Sequence, residues 1–401
     1  MSSRRKFLGQ VASGLGTLAI PGTVAGANDR VRFGIVGYGA RGADLAAEAL
    51  GCPRTEIAAV CDIYGGHRER ALQRIPGCKV FADYRLMLEE NSIDAVVIAT
   101  PQHLHAVQFM DALRAGKHVY VENTMAFYVE EAKQMHAAWL YARGRQVVQI
   151  GHQSCSSGQA VDAADFLRNG DLGRITAINA AMYRNTPHNK PLWSRPIYPD
   201  MTSASLSWEH FLGPADRTAF DASRFVNWRL FWDYSGGNVY ESMSHQAAFW
   251  WRALHLGMPS AVTMIGGVYL WKDGREVPDT MTVSIEQPEE LLFTWTSGAG
   301  NGNPGVTEQV LGTDGSIFRS ATQIRYVPEK MNRPQAEIVT GQRPTLPRAH
   351  MQNFLDCIRD GKEPNCPFDI GYKVSIACRM AIESYLQRRT IYWNSEKEDI
   401  V

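Results

Sequence analysis

Two groups of residues in this chain have the types and spacing to do chemistry. The first is Gly37-Tyr-Gly39-Ala-Arg-Gly42, which follows the apolar run Val31–Val36 and leads into a helix-forming stretch over 43–50. Glycines so placed permit a tight turn, close approach of a pyrophosphate and close helix–strand packing. The helix start then offers N–H groups and a positive dipole end to the phosphates. Asp62 closes the next apolar run, twenty residues beyond Gly42. A carboxylate there accepts from a ribose 2′-hydroxyl and repels a 2′-phosphate, so the motif predicts NAD rather than NADP. The second group is Glu241 and His245, four apart in a stretch that reads as one helix over 239–254. On one helical face the carboxylate would raise the basicity of the imidazole and orient it for proton transfer.

These groups need elements to position them. Strand and helix signals alternate up to residue 150, and Ile93–Thr100 is apolar almost throughout, as in a parallel sheet buried on both faces. The pattern predicts a Rossmann doubly wound sheet over 28–150. Beyond about 174 come β-rich segments at 175–184, 261–271, 280–286, 291–295 and 308–311 without alternating helices. They predict an α+β second domain over 151–387 built on a large, mostly antiparallel open sheet. Helices near 350–360 and 369–387 finish it, leaving 388–401 as a tail. The fold class expected is therefore α/β, a Rossmann domain followed by an α+β domain.

Composition sets bounds. Arg4-Arg5-Lys6, the apolar stretch 11–20 and Ala25-Gly-Ala27 read as a twin-arginine signal over 1–27, which predicts handling by the twin-arginine export machinery and a periplasmic address. Without that segment, 38 basic residues face 41 acidic ones. Near-neutral charge and the lack of a basic run argue against nucleic-acid binding and stable membrane association. The seven cysteines are odd in number and lack metal-ligand spacing, so buried free thiols are expected. His103 and His105 are two apart with no third ligand evident, and no metal site is expected.

Taken in order, Gly37–Gly42, Ala99-Thr-Pro-Gln-His-Leu-His105, Gly116-Lys-His-Val-Tyr-Val-Glu122, Gly312-Thr-Asp-Gly315 and Asn353-Phe-Leu-Asp-Cys-Ile-Arg359 resemble the Gfo/Idh/MocA family, named for glucose–fructose oxidoreductase and inositol dehydrogenase. The resemblance covers essentially the whole chain after the signal. It implies an NAD-dependent oxidoreductase for a sugar, polyol or glycoside, assembled as a homo-oligomer. It implies cofactor contacts at Gly37, Tyr38, Gly39, Ala40, Arg41, Gly42, Asp62, Thr100, Pro101, His103, His105 and Glu122. The lysine of the family's Glu-Lys-Pro or Glu-Lys-Thr motif is absent, the segment reading Glu122-Asn123-Thr124. Asn123 can orient a hydroxyl but cannot exchange a proton. The family's Asp-x-Gly-x-His pattern appears as Glu241-Ser-Met-Ser-His245, which makes His245 the acid/base and Glu241 its support.

Tyr183, Arg184, Tyr240, His152 and Gln153 are substrate candidates, and for His152 and Gln153 simple packing is the competing reading. Trp228 and Trp232 lie in an aromatic, arginine-containing insertion. They suit the apolar face of a sugar ring, or else fill a core. An exported enzyme has no NAD pool to draw on, so it would keep its cofactor and regenerate it in place. Three readings follow: sugar-to-sugar hydride exchange; redox-neutral glycoside cleavage by oxidation, elimination, hydration and reduction; and a sugar-binding relative without catalysis.

Overall fold

The computed structural model describes residues 30–168 and 170–401, so the signal expected over 1–27 lies outside the described residues. Strands β1 (Val31–Val36), β2 (Thr55–Cys61), β3 (Lys79–Phe81), β4 (Ala95–Ile98), β5 (His118–Glu122) and β6 (Val148–Gly151) form a parallel sheet in the order β3-β2-β1-β4-β5-β6. All four residues of β4, Ala-Val-Val-Ile, are buried, as helices on both faces require. Strand order reverses between β1 and β4, which opens a crevice at their C-terminal ends.

The second sheet contains β7 (Ile175–Tyr183), β8 (Ala261–Gly267), β9 (Thr280–Gln287), β10 (Leu291–Gly298) and β11 (Val306–Gly312). It continues with β12 (Gly315–Ser320), β13 (Ile324–Pro328), β14 (Val339–Thr340), β15 (Ile391–Asn394) and β16 (Asp399–Ile400). The order is β14-β13-β12-β11-β7-β10-β9-β8-β15-β16, with β7 parallel to β10 and the other neighbours antiparallel. Helices Ser244–Leu254 and Phe368–Gln387 bury their apolar residues beneath this sheet. Polar atoms in that layer are matched: Trp250 Nε1 donates to Glu308 at 2.6 Å, Trp295 Nε1 to Gln246 at 2.7 Å, and Arg319 pairs with the buried Glu308 carboxylate. A buried charge without such a partner would be strongly destabilising.

Four expectations are corrected. Residues 388–401 are no tail: Ile391 is buried in the core and β15 pairs with β8. Helix Ala349–Asp360, assigned by sequence to the second domain, packs Met351, Phe354 and Leu355 with Phe33 and Tyr120 of the first sheet. The strand expected over 261–271 stops at Gly267, because the Asp279 carboxylate accepts the N–H groups of Tyr269, Leu270 and Trp271 and curls the chain. The single helix expected over 239–254 opens instead with a π-helical turn, Val239–Met243. As expected, all seven cysteines are buried and free. Among the described residues no helix is long and apolar enough to cross a membrane.

Candidate active site

Residues 31–401 form one packed unit, and a cleft of about 1020 Å³ opens above the first sheet. Gly37, Gly39, Ala40, Arg41, Asp62, Thr100 and Pro101 line its floor. Gly37 adopts φ +86°, and a Cβ on Gly42 would overlap the Gly37 carbonyl oxygen, so the loop closes only with glycine at both positions. Helix Ala40–Leu50 starts from Gly39 with no side-chain cap, which leaves its first N–H groups for an anion. Asp62 Oδ2 accepts from Tyr38 N at 2.7 Å and faces His67 Nδ1 at 2.9 Å, and Oδ1 accepts from Tyr64 N at 2.9 Å. A carboxylate has about four acceptor positions, so one remains for a ribose hydroxyl. Uncapped helix, glycine cradle and acceptor together fit a dinucleotide.

At the end of β5, Arg41 Nε donates to Glu122 Oε1 at 2.9 Å. Gln153 Nε2 donates to the same oxygen at 3.1 Å and to the Tyr120 hydroxyl at 2.8 Å. Gln153 therefore braces Glu122 from behind. Burial pushes the Glu122 carboxyl up, and the Arg41 charge opposes that shift. Asn123 Nδ2 donates to Tyr240 O at 2.9 Å and Ser244 Oγ at 3.1 Å, anchoring the β5 loop to the second domain's helix.

His245 follows Ser244 and so sits beside this loop. The expected Glu241–His245 pair does not form. The π-helical turn shifts the register between them, since its bonds run i→i+5. Glu241 is instead held by Gln102 Nε2 at 3.0 Å and Arg229 Nε at 3.0 Å. The basicity of His245 consequently moves opposite to expectation: burial, with the charges of Arg41, His350 and Arg184, lowers its pKa to about 4. His152 lies edge-on to it, with ring centroids 5.2 Å apart, fully buried and with no partner on either ring nitrogen among the described residues.

Other expected contacts divide. Trp228 lines the cleft, with the Arg229 guanidinium 4.2 Å from its ring centre. Arg184 Nη2 reaches Ser242 Oγ at 3.4 Å, next to Glu241, and Tyr183 is half-buried against Gly298. Tyr240 does not face the cleft: its ring is core and its hydroxyl donates to Phe127 O at 2.7 Å. Trp232 packs on Tyr385 instead. Tyr38 is buried among the core side chains and offers its backbone N–H to Asp62 rather than its ring to a ligand. His103 is buried between Phe211 and Tyr234, and His105 is pinned between Thr124 O and Thr100 O at 2.8 and 2.9 Å, so both act as struts.

Sequence reasoning named Trp228 but missed His67 and, within the insertion, Met201, Phe211, Arg217 and Phe225 as cleft-lining residues. Their only signal was the aromatic and arginine content of the insertion.

The fold and site define a Rossmann domain carrying a cleft that is completed by a β-sheet domain. Residues 31–152 match the Gfo/Idh/MocA model described as oxidoreductase family, NAD-binding Rossmann fold. Part of the chain resembles the alpha-N-acetylgalactosaminidase of Shewanella oneidensis, 32% identical over 126 residues, or 29% of this chain and 28% of that protein. A glycosyl hydrolase family 109 protein of Shewanella baltica (strain OS195) matches equally, so the chain spans little more than a quarter of these curated relatives. Over nearly the whole chain the fold resembles levoglucosan dehydrogenase in complex with NADH and levoglucosan (TM-score 0.70, 18% identity, 90% of this chain and 99% of that one). It likewise resembles an oxidoreductase domain protein from Kribbella flavida (TM-score 0.72, 17% identity, 90% and 98%).

Proposed function

We propose that this protein is an exported NAD-dependent enzyme that oxidises a ring hydroxyl of a sugar, polyol or glycoside and keeps its cofactor between turnovers. The observation that carries this reading is the dinucleotide-sized cleft floored by Gly37, Gly39 and Asp62, whose lining residue Arg41 pairs with Glu122. NAD, when bound, supplies a hydride acceptor.

The chain's own residues do the rest. Gly37, Gly39 and the uncapped helix start hold the pyrophosphate, and Asp62 holds the ribose. His245, neutral at working pH, is the group to accept the hydroxyl proton, although burial and the charge of Arg41 lower its basicity. Asn123 holds the loop in place; its amide oxygen has no protein partner and remains to accept from a sugar hydroxyl. Trp228, with Arg229 across its ring, offers a face for the apolar side of the sugar.

A second reading, redox-neutral glycoside cleavage, is favoured by the glycosidase names of relatives that match part of this chain. Export rests on the Arg4-Arg5 and Ala25–Ala27 signal. A homo-oligomer is supported by Ile265 and Leu292, 67% and 44% exposed on the second sheet. The test is to mix purified protein with sugars and aryl glycosides while following bound-cofactor absorbance and products. Lasting reduction reversed by a second sugar supports net oxidoreduction. Cleavage without net reduction supports the glycosidase reading, and neither change refutes both.

A further inference from the structure

The dinucleotide cleft has a roof that the Rossmann motif does not encode. Arg195, Tyr198, Met201, Phe211, Arg217 and Phe225, all from the insertion between β7 and β8, line the same cavity as Gly37 and Asp62. The insertion is fastened directly to the edge of the Rossmann domain. Gly65 N donates to Ser205 O at 3.0 Å and Ser207 N to Ile63 O at 3.3 Å, a strand-like bridge across Tyr64 and Leu206. The Tyr64 hydroxyl bonds the Asp200 carboxylate, and Tyr64, Met201 and Leu206 share a small buried apolar cluster. Further along, His103 Nε2 donates to Phe211 O at 2.7 Å. The far end is tied down by Arg229 on Glu241. Among the described residues, Arg195 and Arg217 line the cleft and form no ion pair, although both belong to the insertion.

We infer that residues 195–229 are part of the cofactor-binding site, closing over the dinucleotide and supplying cations for its pyrophosphate, so that the cofactor leaves only when the insertion detaches. This rests on the reading of the floor as an NAD site. Detachment must break the bridge at Tyr64–Leu206 and expose the apolar cluster behind it, so release is slow. A dinucleotide held only by the floor would exchange freely with solvent. A guanidinium group lining the cleft without an ion pair can take a phosphate oxygen in a charge-assisted hydrogen bond.

The experiment measures cofactor release directly. Protein loaded with NAD is mixed with an excess of isotopically labelled NAD, and bound label is read by mass spectrometry over time. Two variants loosen the roof from outside the cleft: Tyr64→Phe removes the bond to Asp200, and Leu206→Asp places a charge in the apolar cluster. Circular dichroism checks that each is folded. Wild type is expected to exchange over hours, Tyr64→Phe several-fold faster and Leu206→Asp at least tenfold faster. Arg217→Gln should weaken retention and make it less sensitive to salt than in wild type, because the charge that salt screens is gone. Exchange within seconds in wild type, or unaltered exchange in folded Tyr64→Phe, overturns the inference. The outcome is separable from the proposed function: retained NAD without sugar oxidation removes the activity and leaves the roof, whereas sugar oxidation with free exchange does the reverse.

Discussion

Arg229 Nε lies 3.0 Å from Glu241 Oε2, and this ion pair takes the carboxylate that sequence spacing assigns to His245. Glu241 thus acts as a fastener between Gln102 on the Rossmann side and the end of the insertion. Glu241→Gln should leave the ionisation of His245 within a few tenths of a pH unit of wild type, read from the pH profile of turnover or from imidazole NMR. A catalytic dyad would move it by about a unit or more. The same change should destabilise the protein by about 1 kcal/mol, since a pair still partly open to solvent is worth little.

Replacing His245 by Ala should lower turnover by about 10²–10⁴-fold while NAD content stays at the wild-type level. Single-turnover reduction of bound cofactor measures the first quantity, and denaturation followed by chromatography the second. Unchanged turnover would remove His245 from the mechanism.

Asn123→Lys is expected to impair rather than restore. The Asn123 amide bonds both Tyr240 O and Ser244 Oγ, and a lysine cannot reproduce that two-point anchor. Losing two hydrogen bonds costs about 1–3 kcal/mol, measurable by urea denaturation, and turnover should fall with it. A rise in dehydrogenase activity would show that the pocket still accepts an ammonium.

Gly42→Ala tests the floor. Its new Cβ would meet the Gly37 carbonyl oxygen, a backbone atom that cannot swing away. Either the loop or the helix must shift, so the variant should lose about 2 kcal/mol or more and purify with little NAD. Wild-type NAD content in this variant would contradict the cradle.

Acid should destabilise the protein well above carboxylate pH. Burial lowers His103, His245 and His350 from 6.5 to about 4, and His105 and His152 shift the same way. Unfolded histidines bind protons first, so the stability these groups contribute is complete above pH 6.5 and is lost as pH falls towards 4. Each adds a slope of up to about 1.4 kcal/mol per pH unit in that window. The urea midpoint should drop steadily from pH 6.5 to 4.5; a flat midpoint would refute buried neutral histidines.

Local chemistry by itself determined much of this protein. The glycine motif, the apolar strands and Asp62 each depend on neighbours close in sequence, so the parallel sheet, the glycine turn at its C-terminal edge and the buried thiols were legible. Tertiary structure decided the partners. Glu241 met Arg229 because a π-helical turn altered its direction, helix Ala349–Asp360 returned to the first sheet, and Tyr240 and Trp232 turned into the core. Above all, the insertion became the roof of the cleft through contacts between residues more than 130 positions apart, such as Tyr64 with Asp200. Periodicity records which face of an element is apolar. It does not record which distant surface that face will meet, and that choice is made only when the whole chain packs.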